Sequence, residues 1–419
     1  MSFMEGTVWA EAGVVRSSPG SLKNCPDRAV GGPRRASRKT NCPKKILRWR
    51  VFTVIIKAMK KTSIKTVGIL TSGGDAPGLN AAIRGVCRSG MINYGMKFVG
   101  IRNGYRGLVN GDGFVIKQPD ISGILTRGGT ILGTSREKPF KNPVVNPETG
   151  LLPIEAIKKN WKKWGLDALV VLGGNGTNTT GSLLYQEGLN VIGLPKTIDN
   201  DIVGTDVTFG FHTAIDVATE GIDRIHTTAD SHSRVMIVEV MGHKAGWLGL
   251  YSAIAGGGDV CLIPEIPYDI KSVAREIEHR RDAGKNFSIV VVAEGALSKE
   301  EAKLSKKEFK KARLEMTQSI GYRVAQEISE ATGLESRVSV LGHLQRGGTP
   351  SPYDRVLANQ FGVAAADFLA REDFGKLVAI QNNKIVGVPL EECAGKVKNI
   401  PVDDPLIESG RSVGICFGD

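Results

Sequence analysis

Residues 168–202 read ALVVLGGNGTNTTGSLLYQEGLNVIGLPKTIDNDI. An apolar strand, Ala168–Leu172, empties into the glycine turn Gly173-Gly174-Asn175-Gly176-Thr177. A second apolar run, Val191–Leu194, ends in Pro195-Lys196-Thr197-Ile198-Asp199-Asn200-Asp201. A phosphate-type turn and a carboxylate-bearing loop therefore follow two successive strands, the place where open α/β sheets bind ligands. One loop suits a donor phosphate chain, and the other offers a base and a cation. Phosphoryl transfer is the chemistry to expect, provided the rest of the chain supplies an acceptor site.

The same texture extends both ways. Upstream, Thr66–Thr71 is a continuous apolar strand, followed by Ser72-Gly73-Gly74-Asp75-Ala76-Pro77-Gly78 and a helical pattern over Leu79–Tyr94. A strand, glycine turn and helix in that order aim backbone N–H groups at an anion. A merely tight turn would read the same way. Phe98–Ile101 is a short strand, Gly104–Leu108 reads as a turn, and Ile154–Trp164 as an amphipathic helix. Gly128–Arg136 is a glycine- and hydroxyl-rich loop whose final arginine either bridges phosphoryl oxygens or is a solvated surface charge.

Downstream, helical patterns cover Ala214–Thr228, Met316–Thr332 and Pro352–Leu369. Strands are expected over Val235–Val240, Ser288–Ala293 and Arg337–Leu341. Lys299–Lys311 is a charge run suited to a solvated face. Continuous apolar strands alternating with helices predict an α/β fold with parallel sheets covered on both faces.

At 419 residues, two domains or one with tails are expected. No apolar run approaches the roughly 20 residues that span a bilayer, so no membrane partner is expected. Six scattered cysteines without a CxxC motif fit a reduced, cytoplasmic protein. The net charge of +12 is unevenly spread. Residues 1–58 hold 12 Lys/Arg against 3 Asp/Glu, leaving 43 against 40 in the remainder. A nucleic-acid surface would carry its charge on the folded part, so no nucleic acid is expected. Residues 1–58 read as sequence upstream of a start at Met59, as a targeting segment, or as a basic arm for polyanions. No structure is assigned to them.

Thr71–Ala82 (TSGGDAPGLNAA), Pro195–Ile202 (PKTIDNDI), Val238–Gly242 (VEVMG) and Val340–Gly348 (VLGHLQRGG) resemble the phosphofructokinase family in order and spacing. The resemblance runs from about residue 63 to the C-terminus. It implies two Rossmann-like three-layer α/β domains with mainly parallel sheets. The nucleotide-binding domain would take 63–210 plus 345–385, and the sugar-phosphate domain 211–344. A C-terminal segment, 386–419, would pack on the body.

The implied reaction is ATP-dependent phosphorylation of fructose 6-phosphate at its 1-hydroxyl, with Mg²⁺. By this resemblance Asp199 is the general base, Thr197 positions the substrate, and Gly74, Arg136 and Gly174–Thr177 form the nucleotide site. Met241, Gly242 and Glu294 match sugar contacts, and His343 and Arg346 match 6-phosphate ligands. Arg234 and Arg337 match arginines that reach that phosphate from a neighbouring subunit, which implies a homo-oligomer, dimer or tetramer. Arg84 and Arg88 match effector-binding arginines, or are surface charges.

Departures from the family pattern bear on metal and donor. Asn175 stands where many members carry a magnesium-associated Asp, which leaves Asn175 and Asp201 as weak metal candidates, with Asp75 also available. Gly176 stands where pyrophosphate users carry Asp, and its lack of a side chain admits a nucleotide α-phosphate. Lys196 points toward the pyrophosphate-using and mixed branch. Together they resemble the ATP-using members of that mixed group. His243 replaces a common Arg and weakens one sugar-phosphate contact. Pyrophosphate is the alternative donor, and a catalytically weakened sugar-phosphate or nucleotide sensor is a distant alternative.

Overall fold

A computed structural model describes residues 60–419 apart from Asn142 and Thr317; the readings of residues 1–58 lie outside them. The strands are β1 (Thr66–Thr71), β2 (Lys97–Ile101), β3 (Gly113–Ile116), β4 (Ala168–Gly173), β5 (Val191–Pro195), β6 (Val235–Val240), β7 (Val260–Leu262), β8 (Ser288–Ala293), β9 (Ser336–Val340), β10 (Lys376–Gln381) and β11 (Lys384–Pro389). The helices are α1 (Leu79–Tyr94), α2 (Tyr105–Asn110), α3 (Pro153–Trp164), α4 (Asn175–Gln186), α5 (Phe211–His232), α6 (Trp247–Ala255), α7 (Ile270–Asp282), α8 (Lys306–Glu315), α9 (Ile320–Thr332), α10 (Pro352–Ala370), α11 (Leu390–Cys393) and α12 (Pro405–Ser412).

The larger sheet has the order β11-β10-β5-β4-β1-β2-β3, and only its outer pairs, β10–β11 and β2–β3, are antiparallel. Its strands alternate between two buried faces, as fully covered strands must. In β4, Val170 and Leu172 pack with Ile83 and Val86 of α1 and Phe361 of α10. Leu169 and Val171 turn the other way, onto Tyr105 of α2, Ile157 of α3 and Leu184 of α4. The result is three layers.

The smaller sheet, β7-β8-β6-β9, is wholly parallel. Val238 and Val240 of β6 face Ile222 of α5, Leu250 of α6 and Phe417 near the C-terminus. Val235 and Ile237 face Val273 of α7 and Val324 of α9. A second three-layer unit follows, so the fold is α/β with two sheets, as expected. Helix α8, which begins inside the charge run, buries no residue.

Two local expectations change. Residues 105–110 form helix α2 where a turn was expected, because Tyr105 and Leu108 are buried against α3 and β4. Of the supposed glycine turn, Asn175, Gly176 and Thr177 are already the first turn of α4.

The candidate active site

Strands β5, β4 and β1 are parallel neighbours, so their carboxyl ends present three loops side by side. The loops are stitched together: Ser72 N–H donates to the Leu172 carbonyl at 3.0 Å, and Lys196 N–H to the Gly173 carbonyl at 3.1 Å. The Thr177 hydroxyl donates to the Ser72 carbonyl at 3.1 Å. The 128–136 loop joins them through Thr134, whose hydroxyl donates to the Gly73 carbonyl at 2.6 Å. Between them lies a cavity of about 720 Å³.

Gly74, Arg136, Gly174, Asn175, Gly176 and Thr177 all line this cavity. So do Lys196, Thr197, Asp199 and Asp201, and from the smaller sheet His243 and Arg346. Seven Lys/Arg residues against four Asp/Glu line it, a balance that suits a polyanion. The amino end of α4 opens into it, and a helix start favours negative charge.

Thr197 Oγ1 donates to Asp199 Oδ2 at 3.1 Å and accepts from the Asp199 N–H at 3.1 Å. Asp199 Oδ1 is buried and finds no partner among the described residues. One oxygen is thus held while the other is left to accept. Lys196 is buried, 4 % exposed, and its ammonium donates to the Gly74 carbonyl. Burial pushes its pKa down to about 8, against the pull of Asp199, while Arg346 pushes the same way as burial.

Asn175 Nδ2 donates to Asp201 Oδ2 at 2.9 Å and to the Asp201 carbonyl at 3.1 Å. Both partners are acceptors, which fixes the amide's orientation and leaves Asn175 Oδ1 buried without a partner among the described residues. Burial, then Asp199, pushes the Asp201 carboxyl up to about 6, against His243 and the Asn175 amide. Among the described residues no group of three or more His, Cys, Asp or Glu could hold a metal ion by itself. The orphaned Asn175 Oδ1 beside the Asp201 carboxylate instead fits an ion that arrives with phosphates and water, the usual habit of Mg²⁺.

The residues expected to meet the sugar gather at the carboxyl ends of β6, β8 and β9. Met241 N–H donates to Gln345 Oε1 at 2.8 Å, and His243 N–H to Glu294 Oε1 at 2.7 Å. Gly242 has φ +136°, and a Cβ there would lie 2.7 Å from the Ala245 carbonyl oxygen. Burial raises the pKa of the Glu294 carboxyl. Arg346 leaves this cluster and lies over Gly74, where an added Cβ would meet its guanidinium nitrogen at 2.8 Å. His343 is exposed in the short 3₁₀ turn Gly342–Arg346. Arg234 and Arg337 stand apart from the cavity, paired with Glu335 of the same chain.

Sequence reasoning missed Lys138, whose Cε and Nζ lie 3.4 and 3.5 Å from where a Gly176 Cβ would be. It also missed Tyr105, whose hydroxyl donates to the Thr177 carbonyl at 2.8 Å, and the stretch Gly395-Lys396-Val397 at the cavity rim. The SREK run after the glycine loop was the available signal for Lys138; nothing local marks 395–397.

Residues 66–369 match the phosphofructokinase family. The chain belongs to that family. It is 61% identical over 364 residues to the ATP-dependent 6-phosphofructokinase of Spirochaeta thermophila, covering 86% of this chain and 100% of the relative. It is 48% identical over 342 residues to the pyrophosphate–fructose 6-phosphate 1-phosphotransferase of Amycolatopsis mediterranei, covering 80% and 96%. The solved phosphofructokinase of Saccharomyces cerevisiae matches with a TM-score of 0.68 at 33% identity over 78% of this chain. The match takes in 45% of the yeast chain, so this chain spans under half of that one's length. Phosphofructokinase relatives thus include users of both donors.

Proposed function

We propose that the protein transfers the γ-phosphoryl group of ATP to the 1-hydroxyl of fructose 6-phosphate, giving fructose 1,6-bisphosphate in the cytoplasm. The observation that carries this is the unpartnered, buried Oδ1 of Asp199, in the same cavity as the amino end of α4. A carboxylate oxygen reserved for a proton beside an anion-binding helix start is what a hydroxyl nucleophile and a phosphoryl donor require.

Thr197 holds the second Asp199 oxygen, so Oδ1 takes the proton as the sugar oxygen attacks. Lys196, Arg136 and the α4 N–H groups hold charge on the transferring group. Met241, Gly242, His243 and Glu294 bind the sugar, and His343 and Arg346 its phosphate. Arg234 and Arg337 serve a neighbour's site within a homo-oligomer. Asp201 and Asn175 Oδ1 are the groups that would meet Mg²⁺ through its water. That ion would neutralise charge on the donor phosphates.

Gly176 carries the ATP assignment, since it leaves room for an α-phosphate, with Lys138 alongside to meet it. Pyrophosphate remains the second reading because Lys196 stands in the cavity and the Amycolatopsis mediterranei relative is a pyrophosphate enzyme. The test supplies fructose 6-phosphate and Mg²⁺ with each donor in turn and follows bisphosphate formation. Turnover with ATP is expected. Turnover with pyrophosphate alone would reverse the donor, and none with either would leave a binding protein.

A further inference from the structure

After α11 the chain leaves the larger sheet and crosses to the smaller one through residues 395–398. Lys398 lies midway. Its backbone N–H donates to the Asp201 carbonyl at 2.8 Å, and its own carbonyl accepts from Trp247 Nε1 at 2.8 Å. Its ammonium sits 5.3 Å from the centre of the Trp247 ring and donates to three oxygens. These are Asn200 Oδ1 at 3.2 Å, the Thr205 carbonyl at 2.9 Å and the Asp206 carbonyl at 2.9 Å. An ammonium has three N–H bonds, so each has an acceptor, and all three acceptors belong to the loop that carries Asp199.

Asn200 is the joint of that loop. It is buried, has φ +51°, and separates Asp199 from Asp201. Asparagine takes up left-handed backbone more readily than other non-glycine residues, and the side-chain bonds that hold it decide where its neighbours point. Here Asn200 Oδ1 accepts from Thr208 N–H at 3.1 Å as well as from Lys398. The carboxylates on either side point where this joint aims them.

We propose that Lys398 is a positioning residue for phosphoryl transfer, holding Asn200 in its left-handed turn and thereby fixing the direction of Asp199. It acts through Asp199 and touches neither substrate, and the proposal rests on the role given to Asp199 above. A displacement of about 1 Å in a reacting group can cost about 10²-fold in rate, so a side chain at this remove has a measurable effect.

The test is steady-state kinetics of Lys398→Met, which keeps the bulk and removes the charge and donors. Expected is a fall in kcat of about 10²-fold with KM for donor and sugar within about threefold, and recovery of most of the loss in Lys398→Arg. In an Asp199→Ala background the same substitution should change little, since residues acting as a unit are non-additive. A purely structural lysine would cost the same in both backgrounds. If Lys398→Met does not fold, Asn200→Gly keeps the left-handed turn, removes the oxygen that Lys398 holds, and should show a comparable fall in kcat. A folded Lys398→Met with kcat near wild type, or an equal loss in the Asp199→Ala background, overturns the proposal. Wild-type protein inactive with both ATP and pyrophosphate overturns the reading beneath it as well.

Discussion

Lys196 keeps its positive charge only below about pH 8, because burial lowers its pKa to that value. Its ammonium is present under acidic and neutral conditions and lost as pH rises through 8. Donor binding should weaken above that point, so kcat/KM for the donor should fall about tenfold per pH unit on the alkaline side, reporting the free enzyme. Lys196→Arg, charged throughout the range, should lose that limb. A limb that persists belongs to another group, and Lys398 is also held at about 8. At this scale the sequence was legible where roles sit on neighbouring residues: Lys196, Thr197 and Asp199 lie within four positions of one loop. Asn175 was harder, since only the fold reveals that its amide nitrogen faces Asp201 and its oxygen is left over. Lys138 was marked only by the SREK run, its neighbour Gly176 lying 38 residues downstream, and Lys398 was not legible, because its partners lie nearly 200 residues away in the chain.

Helices α1 and α10 meet glycine to glycine. A Cβ on Gly362 would lie 2.7 Å from the Ala82 carbonyl oxygen and the Val86 nitrogen, and one on Gly85 would lie 3.0 Å from the Asn359 carbonyl oxygen. These obstacles are backbone and cannot swing aside. Gly362→Val should therefore destabilise the fold by about 3 kcal/mol, the upper end of overpacking costs. Urea titration should show a lower midpoint, and an unchanged midpoint would mean the helices can separate cheaply. Long apolar runs such as β4 and β8 were readable from the sequence because burial on both faces leaves no charged interruption, and in β6 only Glu239 breaks the run. β7, only three residues long, gave no pattern to read. Strands β10 and β11 were missed although Asn382 and Asn383, both at positive φ, make the two-residue turn between them. Tertiary burial of Tyr105 and Leu108 converted an expected turn into α2.

At the scale of the whole molecule, Arg234 and Arg337 lie outside the cavity they are proposed to serve, held by Glu335 on their own chain. If they complete a neighbour's sugar site, Asp199→Ala and Arg337→Ala proteins should each be impaired alone. Unfolded together and refolded as a mixture, they should regain activity, because some shared sites then pair an intact Asp199 with an intact Arg337. No recovery, in mixtures that do form hybrids, would mean each chain's arginine serves its own site or none. The chain's end was the least legible region, since its partners are all distant. β11 and α11 complete the larger sheet and its cover, while Cys416 bridges to Val260 and Phe417 enters the smaller sheet's core. The cavity accordingly draws on Gly74 near one end of the described chain and Val397 near the other. A ribosome that has not yet reached residue 395 has therefore made a chain whose cavity still lacks part of its rim, however complete the Asp199 loop already is.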